Sequence, residues 1–144
     1  MRYVRHVLKN KGADVASMAP HQTVYEMLEL MTRLNIGAVV VMDGERLAGI
    51  VTERDYARSV VLLGRASKDT PIRDIMTDEV LVVSPTHKVS QCMALMTDKR
   101  VRHLPVVEDG RVVGIVSIGD VVKDIIAEQE HIIADLEAYI APGR

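Results

Sequence analysis

The chain has 144 residues, 48% of them hydrophobic, and a formal net charge of -2 at pH 7. This size fits one compact domain or two very small ones, and the near-neutral charge argues against a generally basic nucleic-acid-binding protein. The longest apolar runs, such as 38–42, are too short to cross a bilayer, and the first twenty residues carry four Arg or Lys residues without an apolar leader segment. We therefore expect a cytoplasmic protein with no membrane partner.

An internal repeat organises the chain. At an offset of 65 residues and without a gap, Pro20 aligns with Pro85, and the register holds as far as Asp55 and Asp120. A repeat of this period indicates one supersecondary unit that is used twice and packs against its own copy. Ahead of position 20 the register slips by three residues, around the loop-like stretch "KNKGAD". The residues that echo each other across this slip are Val4, Val7 and Leu8 on one side and Ile72, Ile75 and Met76 on the other.

In chain order, each repeat predicts a strand, an amphipathic helix, a hairpin and a second helix. Apolar residues at three-and-four spacing predict the first helices within 24–31 and 89–96. Two β-branched runs follow in each repeat, joined at the turn signals Asp43-Gly44 and Asp109-Gly110. The fold class is therefore α/β (α+β), built from two β-α-β-β-α units.

The domain boundaries follow from the repeat. We assign 1–64 to the first repeat and 75–144 to the second repeat with an extended C-terminal helix. The polar segment 65–74 contains Pro71 and is the predicted linker between them.

The last predicted helix runs from Asp120 towards Ile140, well beyond its counterpart in the first repeat. It carries an apolar stripe at helical spacing, formed by Val122, Ile125, Ile126, Ile133, Leu136 and Ile140. One interpretation is that the helix folds back on its own chain, against Val4, Val7 and Leu8. The other is that it joins a homodimer, since twofold symmetry is the commonest closed assembly.

One short motif occurs in both repeats, as Thr52-x-x-Asp55 and Ser117-x-x-Asp120. The structural interpretation is a helix capping box, in which hydroxyl and acid each satisfy an orphan backbone donor. The functional interpretation is that the same helix N-terminus faces an anion or a sugar, with the aspartate accepting from vicinal hydroxyls. Both interpretations can hold together.

These segments resemble the tandem cystathionine-beta-synthase (CBS) domain pair, or Bateman module, in the form of a stand-alone bacterial-type signalling protein. The resemblance lies in "IGAVVVMDGERLAGIVTERDYA" and "VRHLPVVEDGRVVGIVSIGDVV" and spans nearly the whole chain. It implies a pseudo-twofold disc with two clefts for adenosine-containing ligands. Among these AMP is expected first, with ATP, ADP or NAD as alternatives and no metal required.

The resemblance also implies the residues of each cleft. The first would contain Thr52, Arg54, Asp55, Val80, Leu81, Arg100, Arg102, His103, Leu104 and Pro105, with Val80 and Leu81 on a first strand. The second would contain Val15, Ala16, Ile36, Gly37, Ala38, Ser117, Gly119 and Asp120. Arginine suits phosphate oxygens, so the first cleft should prefer a charged nucleotide. The second should hold the uncharged nucleoside end of a larger ligand, or nothing.

Nothing in the sequence predicts catalysis or a metal site. The histidines at 6, 21, 87, 103 and 131 lack ligand spacing, and the single Cys92 is read as a core residue. The prediction is an adenine-nucleotide-binding sensor that changes conformation or affinity for an unidentified protein target, with no nucleic-acid partner. The alternatives are a structural oligomerisation module with empty clefts and, more remotely, an enzyme.

Overall fold

The computed structural model describes residues 2–140. Its helices are α1 (Val4–Lys11), α2 (Val24–Leu34), α3 (Glu53–Tyr56), α4 (Val89–Lys99) and α5 (Ile118–Ile140). Its strands are β1 (Ser17–Met18), β2 (Ala38–Asp43), β3 (Arg46–Thr52), β4 (His103–Glu108) and β5 (Arg111–Ser117). A π-helical segment, Ala57–Val61, continues α3, and a 3-10 turn, Ile72–Asp74, lies in the connector, which is residues 62–88 between that segment and α4. None of the helices within residues 2–140 is both long and apolar enough to cross a membrane.

The two repeats build closely similar hairpins. Strands β2 and β3 pair antiparallel, as do β4 and β5, and the register shifts between Val41 and Met42 in one hairpin and between Val106 and Val107 in the other. The shifts are 65 residues apart, so the same backbone irregularity occurs at equivalent positions of the two repeats. The α+β class and the paired-repeat architecture are confirmed.

The first strand differs between the repeats. In the first repeat, β1 pairs parallel to β2. In the second, Val83 alone forms a parallel bridge, to Val106 of β4. The prediction of a strand at Val80 and Leu81 is therefore wrong, because these two residues lie in irregular backbone just before the bridge.

Helices α2 and α4 occupy equivalent places and end in the same way. Each buries one apolar face, and the residue after its last turn, Asn35 or Arg100, adopts a left-handed conformation with φ of 53° or 55°. Such a residue ends a helix by letting its amide bond back to a carbonyl of the last turn. The chain then enters β2 or β4.

The segment that precedes each repeat packs in the core of the other repeat. Val4 and Val7 of α1 pack in the core of the second repeat, whereas Ile72 and Ile75 of the connector pack in the core of the first. The stretch "KNKGAD" was predicted as a loop, but its first three residues are the end of α1. The prediction was therefore wrong for residues 9–11.

Two glycines show that α1 and the connector are equivalent segments. A Cβ on Gly114 would lie 2.6 Å from Leu8 Cδ2, and a Cβ on Gly49 would lie 2.6 Å from Met76 Sδ. Each hairpin thus needs a glycine where the preceding segment crosses its second strand. Leu8 and Met76 are therefore equivalent, and their separation of 68 residues matches the three-residue slip in the sequence register.

Helix α5 packs on the core only at its beginning. Val121 is 1% exposed and Asp124 7%, whereas Ile126 is already 51% exposed. Every described residue from 129 to 140 is exposed. The fold-back interpretation therefore holds for the first turns of the helix and is wrong for the remainder of the stripe.

Candidate functional site

The first candidate cleft lies at the N-terminus of α3. The Asp55 amide donates to Thr52 Oγ1 at 3.3 Å, and Asp55 Oδ2 accepts from the Thr52 amide at 2.9 Å and its hydroxyl at 3.1 Å. This reciprocal arrangement is a capping box, as the motif predicted. All of these bonds to the carboxylate use Oδ2. The Oδ1 oxygen has no hydrogen-bond donor among residues 2–140 and stays able to accept one from a ligand.

A cavity of about 350 Å³ lies beside this cap. Its volume is within the usual range of small-ligand sites, about 300–1,000 Å³. Both repeats and the connector contribute to its wall, which consists of Gly37, Ile50, Thr52, Glu53, Arg54, Asp55, Arg58, Thr77, Glu79, Val80, Leu81, Arg100, Val101, Arg102 and His103. The cavity is therefore a shared site that neither repeat could form alone.

Four arginines line the cavity, in two pairs. Arg54 is in α3, and Arg58 follows four residues later in the π-helical segment that continues it, so both can face the same side. Arg100 and Arg102 follow α4 in the second repeat. Because guanidinium groups bind phosphate and carboxylate oxygens in a planar fork, the cavity is suited to an anionic ligand that both pairs reach.

His103 lies where the two halves meet. It begins β4 opposite Ser117 of the second repeat, yet it lines the first cavity. Burial lowers the pKa of His103 below its usual value, the charge of Lys11 lowers it further, and Asp120 and Glu53 oppose the shift. The ring is therefore neutral at pH 7 and can both donate and accept a hydrogen bond.

The second candidate cleft has the same cap but a different neighbour. The Ser117 amide donates to Asp120 Oδ2 at 2.8 Å, and the Asp120 amide donates to Ser117 Oγ at 3.1 Å. In addition, Lys11 Nζ donates to Asp120 Oδ2 at 2.5 Å and to the Ile115 carbonyl at 2.7 Å. Burial raises the pKa of Asp120, but the hydrogen bonds from Lys11 and Ser117 outweigh it and hold the pKa below its usual value.

The comparisons with known proteins agree with this architecture. The family model described as "CBS domain" matches residues 4–62 and 72–127. The chain belongs to the CBS-domain family. It is 46% identical over 149 aligned positions to the mitochondrial CBS domain-containing protein CBSX3 of Arabidopsis thaliana, an alignment that covers 97% of this chain and 72% of that protein.

Solved structures of CBS proteins match at comparable identity. One from Burkholderia ambifaria, provisionally described as a signal-transduction protein with CBS domains, is 47% identical with a TM-score of 0.85, covering 88% of this chain and 96% of that one. A CBS-domain-containing protein from Agrobacterium tumefaciens is 40% identical with a TM-score of 0.81, covering 85% and 98%. The tandem CBS pair is therefore established at the level of both sequence and fold.

Of the residues predicted for the first cleft of this CBS pair, eight line the cavity: Thr52, Arg54, Asp55, Val80, Leu81, Arg100, Arg102 and His103. The other two do not line it. Leu104 is fully buried in the core, and Pro105 is a buried β4 residue whose carbonyl accepts from the Val83 amide at 3.0 Å. Consecutive side chains of a strand point to opposite faces, so β4 is covered on both faces at these two residues. That the eight residues bind a nucleotide stays a prediction.

The residues predicted for the second cleft are more dispersed. Gly37 lines the first cavity, not the second, and together with Ile36 it also borders an open depression next to α2. Ala38 is buried in β2 opposite Thr52, and the Ala16 carbonyl accepts from the Val40 amide at 3.1 Å. Val15 is half-buried beside β1.

Ser117, Gly119 and Asp120 stay together at the start of α5. Gly119 is exposed there, and a Cβ in its place would lie 3.6 Å from Ser117 Oγ. The cap of the second cleft is therefore intact, although its predicted wall is dispersed.

Several residues at the two clefts were not predicted from the sequence. Arg58 could have been found, because it follows Arg54 by one helical turn. Glu53 and Glu79 adjoin predicted residues in the sequence but gave no separate signal. Lys11, which contacts Asp120 at the second cleft, was missed because its segment was predicted as a loop outside the repeat.

No group of three or more potential metal ligands occurs within the described residues 2–140. Cys92 is fully buried on α4, and burial raises the pKa of its thiol to about 11. A thiol with so high a pKa stays protonated at pH 7, which fits a packing role.

Proposed function

We propose that this CBS pair is a sensor that binds an adenine nucleotide in its first cleft and changes conformation or partner affinity when the cleft is occupied. AMP is the first candidate, with ADP, ATP and NAD as alternatives. The observation that carries the proposal is the shared cavity, in which a capping aspartate with an available oxygen lies among four arginines from both repeats. We assign it no catalytic step.

Each part of the cavity fits one part of such a ligand. The available Oδ1 of Asp55 can accept from a ribose hydroxyl, because its partner Oδ2 already holds the carboxylate in place. The apolar side chains of Ile50, Val80 and Val101 offer a surface for the base. The arginine pairs are left to bind the phosphate.

The placement of the arginines supports a change of conformation on binding. Arg54 belongs to the first repeat and Arg102 to the second, so a phosphate that binds both draws the halves together. A ligand shifts a conformational equilibrium only through a difference in affinity for the two states. A bridging anion provides that difference, since it binds best where both guanidinium groups converge.

The decisive experiment is calorimetric titration with AMP, ADP, ATP and NAD, repeated on Asp55→Ala. Losing a charged hydrogen-bond partner should weaken binding by about 1–3 kcal/mol, or roughly 5- to 150-fold. The matched control is Asp120→Ala, which removes the equivalent cap of the second repeat and should leave the affinity of the first cleft unchanged. Binding of no nucleotide by the wild type, or equal affinities of Asp55→Ala and wild type, would contradict the proposal.

We also propose a homodimer formed through α5. The stripe residues Ile126, Ile133, Leu136 and Ile140 are each more than half exposed, and residues 2–140 leave this part of the helix uncovered. They extend over about 20 Å of helix at 1.5 Å per residue. A second copy with twofold symmetry covers the same stripe on both chains at once.

The structural alternative, an oligomerisation module with empty clefts, shares this dimer and lacks nucleotide binding. Sedimentation of the whole chain should give a dimer, and a chain cut after Glu128 should give a monomer. Leu136→Glu should also dissociate the dimer, whereas Glu137→Gln on the same exposed turn should not. A monomeric whole chain, or a dimer that survives both changes, would exclude this role for α5.

A cytoplasmic location and a protein target remain part of the proposal. Of the relatives above, the Arabidopsis protein is mitochondrial by its name. Fractionation of cells that produce this chain would decide the location, and recovery only with a membrane or organelle fraction would overturn it.

A further inference from the structure

The end of helix α1 lies against the second cleft. Its last residue, Lys11, bonds Asp120 Oδ2 and the Ile115 carbonyl at the same time, and its side chain is 32% exposed. These two acceptors belong to different elements, since Ile115 is in β5 and Asp120 is in the first turn of α5. The ammonium therefore joins the strand edge to the helix N-terminus where that cleft would hold a ligand.

The first cleft is built differently at the equivalent place. There the Ile50 carbonyl, which corresponds to that of Ile115, accepts from the Thr77 amide at 2.9 Å. The packing of Leu8 on Gly114 and of Met76 on Gly49 sets the correspondence between the two segments, and it pairs Lys11 with Glu79. Glu79 lines the open cavity. The first cleft thus has the carboxylate of Glu79 at its border, whereas the second has the ammonium of Lys11 bonded to Asp120.

The arginines do not compensate for this difference. At an offset of 65 residues the counterparts of Arg54, Arg100 and Arg102 are Gly119, Asn35 and Gly37. Of the four cavity arginines, Arg58 alone has a basic counterpart, Lys123. A nucleotide in the second cleft would therefore have to displace Lys11 from both of its acceptors, and three of the four arginines of the first cavity have no basic equivalent there.

We propose that Lys11 closes the second cleft as an internal cation, so that the chain binds a single nucleotide, in the first cleft. This inference rests on the proposed nucleotide binding for the first site only. Lys11 is a specificity-determining residue, because it decides which of two similarly capped clefts is available. Lys11 and the Ser117 amide both bond Oδ2 of Asp120, so its Oδ1 has no hydrogen-bond donor within residues 2–140, as in Asp55. Lys11 therefore closes the cleft by its position, since its charge holds the side chain between Ile115 and Asp120, and an uncharged side chain leaves that space to a ligand.

The test is the number of AMP molecules bound per chain, measured by equilibrium dialysis up to about ten times the dissociation constant of the first site. Lys11→Met keeps most of the side-chain stem and removes the charge. Lys9→Met makes the same change at an exposed residue of the same helix and is the matched control. We expect one AMP for the wild type and for Lys9→Met, two for Lys11→Met, and one again for Lys11→Met combined with Asp120→Asn.

Lys11→Gln provides a second variant that retains a donor for the Ile115 carbonyl, and far-UV circular dichroism checks the fold of each. Two AMP molecules on the wild type, or one on both Lys11 variants, would overturn the inference. If the wild type binds none and Lys11→Met binds one that Asp120→Asn abolishes, the proposed function of the first cleft fails and the inference stands. If neither chain binds AMP, both fail.

Discussion

The two repeats share a helix cap, a hairpin and a bulge, yet they differ in the segment that crosses the second strand of each hairpin. In the first repeat this segment is the connector, whose backbone bonds Ile50 through Thr77. In the second it is α1, which reaches Ile115 with the side chain of Lys11. The difference shows that the repeated fold positions a capping aspartate in each half, and the flanking segment determines what the aspartate can bind.

A second difference concerns how these segments are held. Arg2, just before α1, forms hydrogen bonds to both carboxylate oxygens of Asp124 in α5, the shortest at 2.7 Å. The counterpart of Arg2 in the connector is Thr70, whose hydroxyl donates to the Ala66 carbonyl at 2.8 Å. The second repeat thus depends on a long-range ion pair where the first uses a local hydrogen bond.

The largest expected effect comes from breaking this ion pair. Asp124 is 5% exposed at its side chain, and its partner is 32% exposed. Arg2→Ala leaves a buried carboxylate without its cation and should cost about 2–4 kcal/mol of unfolding free energy. The double variant Arg2→Ala with Asp124→Ala should recover part of that loss, because it removes the buried charge as well.

Urea unfolding measures both variants, with Arg5→Ala as a control on the exposed side of the same segment. A loss below about 0.5 kcal/mol for Arg2→Ala would show that water replaces the guanidinium at no cost. The ion pair would then add no more stability to the second repeat than the local hydrogen bond adds to the first.

The sequence predicted those features that the repeat carries in register. The caps at Asp55 and Asp120 and the hairpins follow from local spacing, since a capping box is formed by residues three apart. The eight cavity residues came from the family resemblance, and their position around one space depends on packing between halves. Strand alternation would not have predicted that the consecutive residues Leu104 and Pro105 are both buried, because β4 is covered on both faces there.

The contacts that distinguish the repeats could not be predicted in this way. Lys11 lies 109 positions from Asp120, and Arg2 lies 122 from Asp124. No local period relates such residues, and they meet only because α1 packs on the second repeat. Their counterparts in the first repeat are Glu79 and Thr70, so the internal alignment gave no signal either.

A substitution in one of the arginine pairs tests whether the first cleft binds the phosphate of its ligand. Arg102→Ala should weaken AMP binding by about 10-fold or more and leave adenosine binding nearly unchanged, because a guanidinium contributes most where it meets a negative oxygen. The ratio of the two affinities, obtained by calorimetry, isolates the phosphate contribution. An equal loss for both ligands would mean that Arg102 shapes the wall without binding phosphate.

The salt bridge of the second cleft predicts a smaller effect that depends on pH. The folded protein holds the pKa of Asp120 below its ordinary value of 3.8, so the carboxylate stabilises the fold above that pH and loses its contribution as the pH falls through the folded pKa. At pH 7 the unfolding free energy of the wild type should exceed that of Asp120→Asn by about 1 kcal/mol, because the variant loses a partly exposed ion pair and a charged helix cap.

The difference between these two chains should shrink as the pH falls below about 4, because Asp120 of the unfolded chain then becomes protonated while the folded carboxylate is still charged, and the difference is lost below the folded pKa. Urea unfolding at several pH values measures it, and Lys11→Met should reduce the pH dependence of the wild type. A stability difference that stays constant from pH 7 to pH 3 would contradict the assigned role of the carboxylate.

The smallest expected effect exchanges the residues that end α2 and α4. Asn35 and Arg100 both have a positive φ, and asparagine tolerates this conformation better than arginine does. Arg100→Asn should therefore raise the unfolding free energy by about 0.5 kcal/mol, and the reciprocal Asn35→Arg should lower it by about the same amount. Only Arg100→Asn should also weaken AMP binding, because Arg100 lines the cavity. Such a gain in stability at the expense of affinity would indicate that arginine is kept at a strained position for its side chain. Unchanged AMP affinity in Arg100→Asn, measured beside the unfolding curves, would leave the strain without a functional reason.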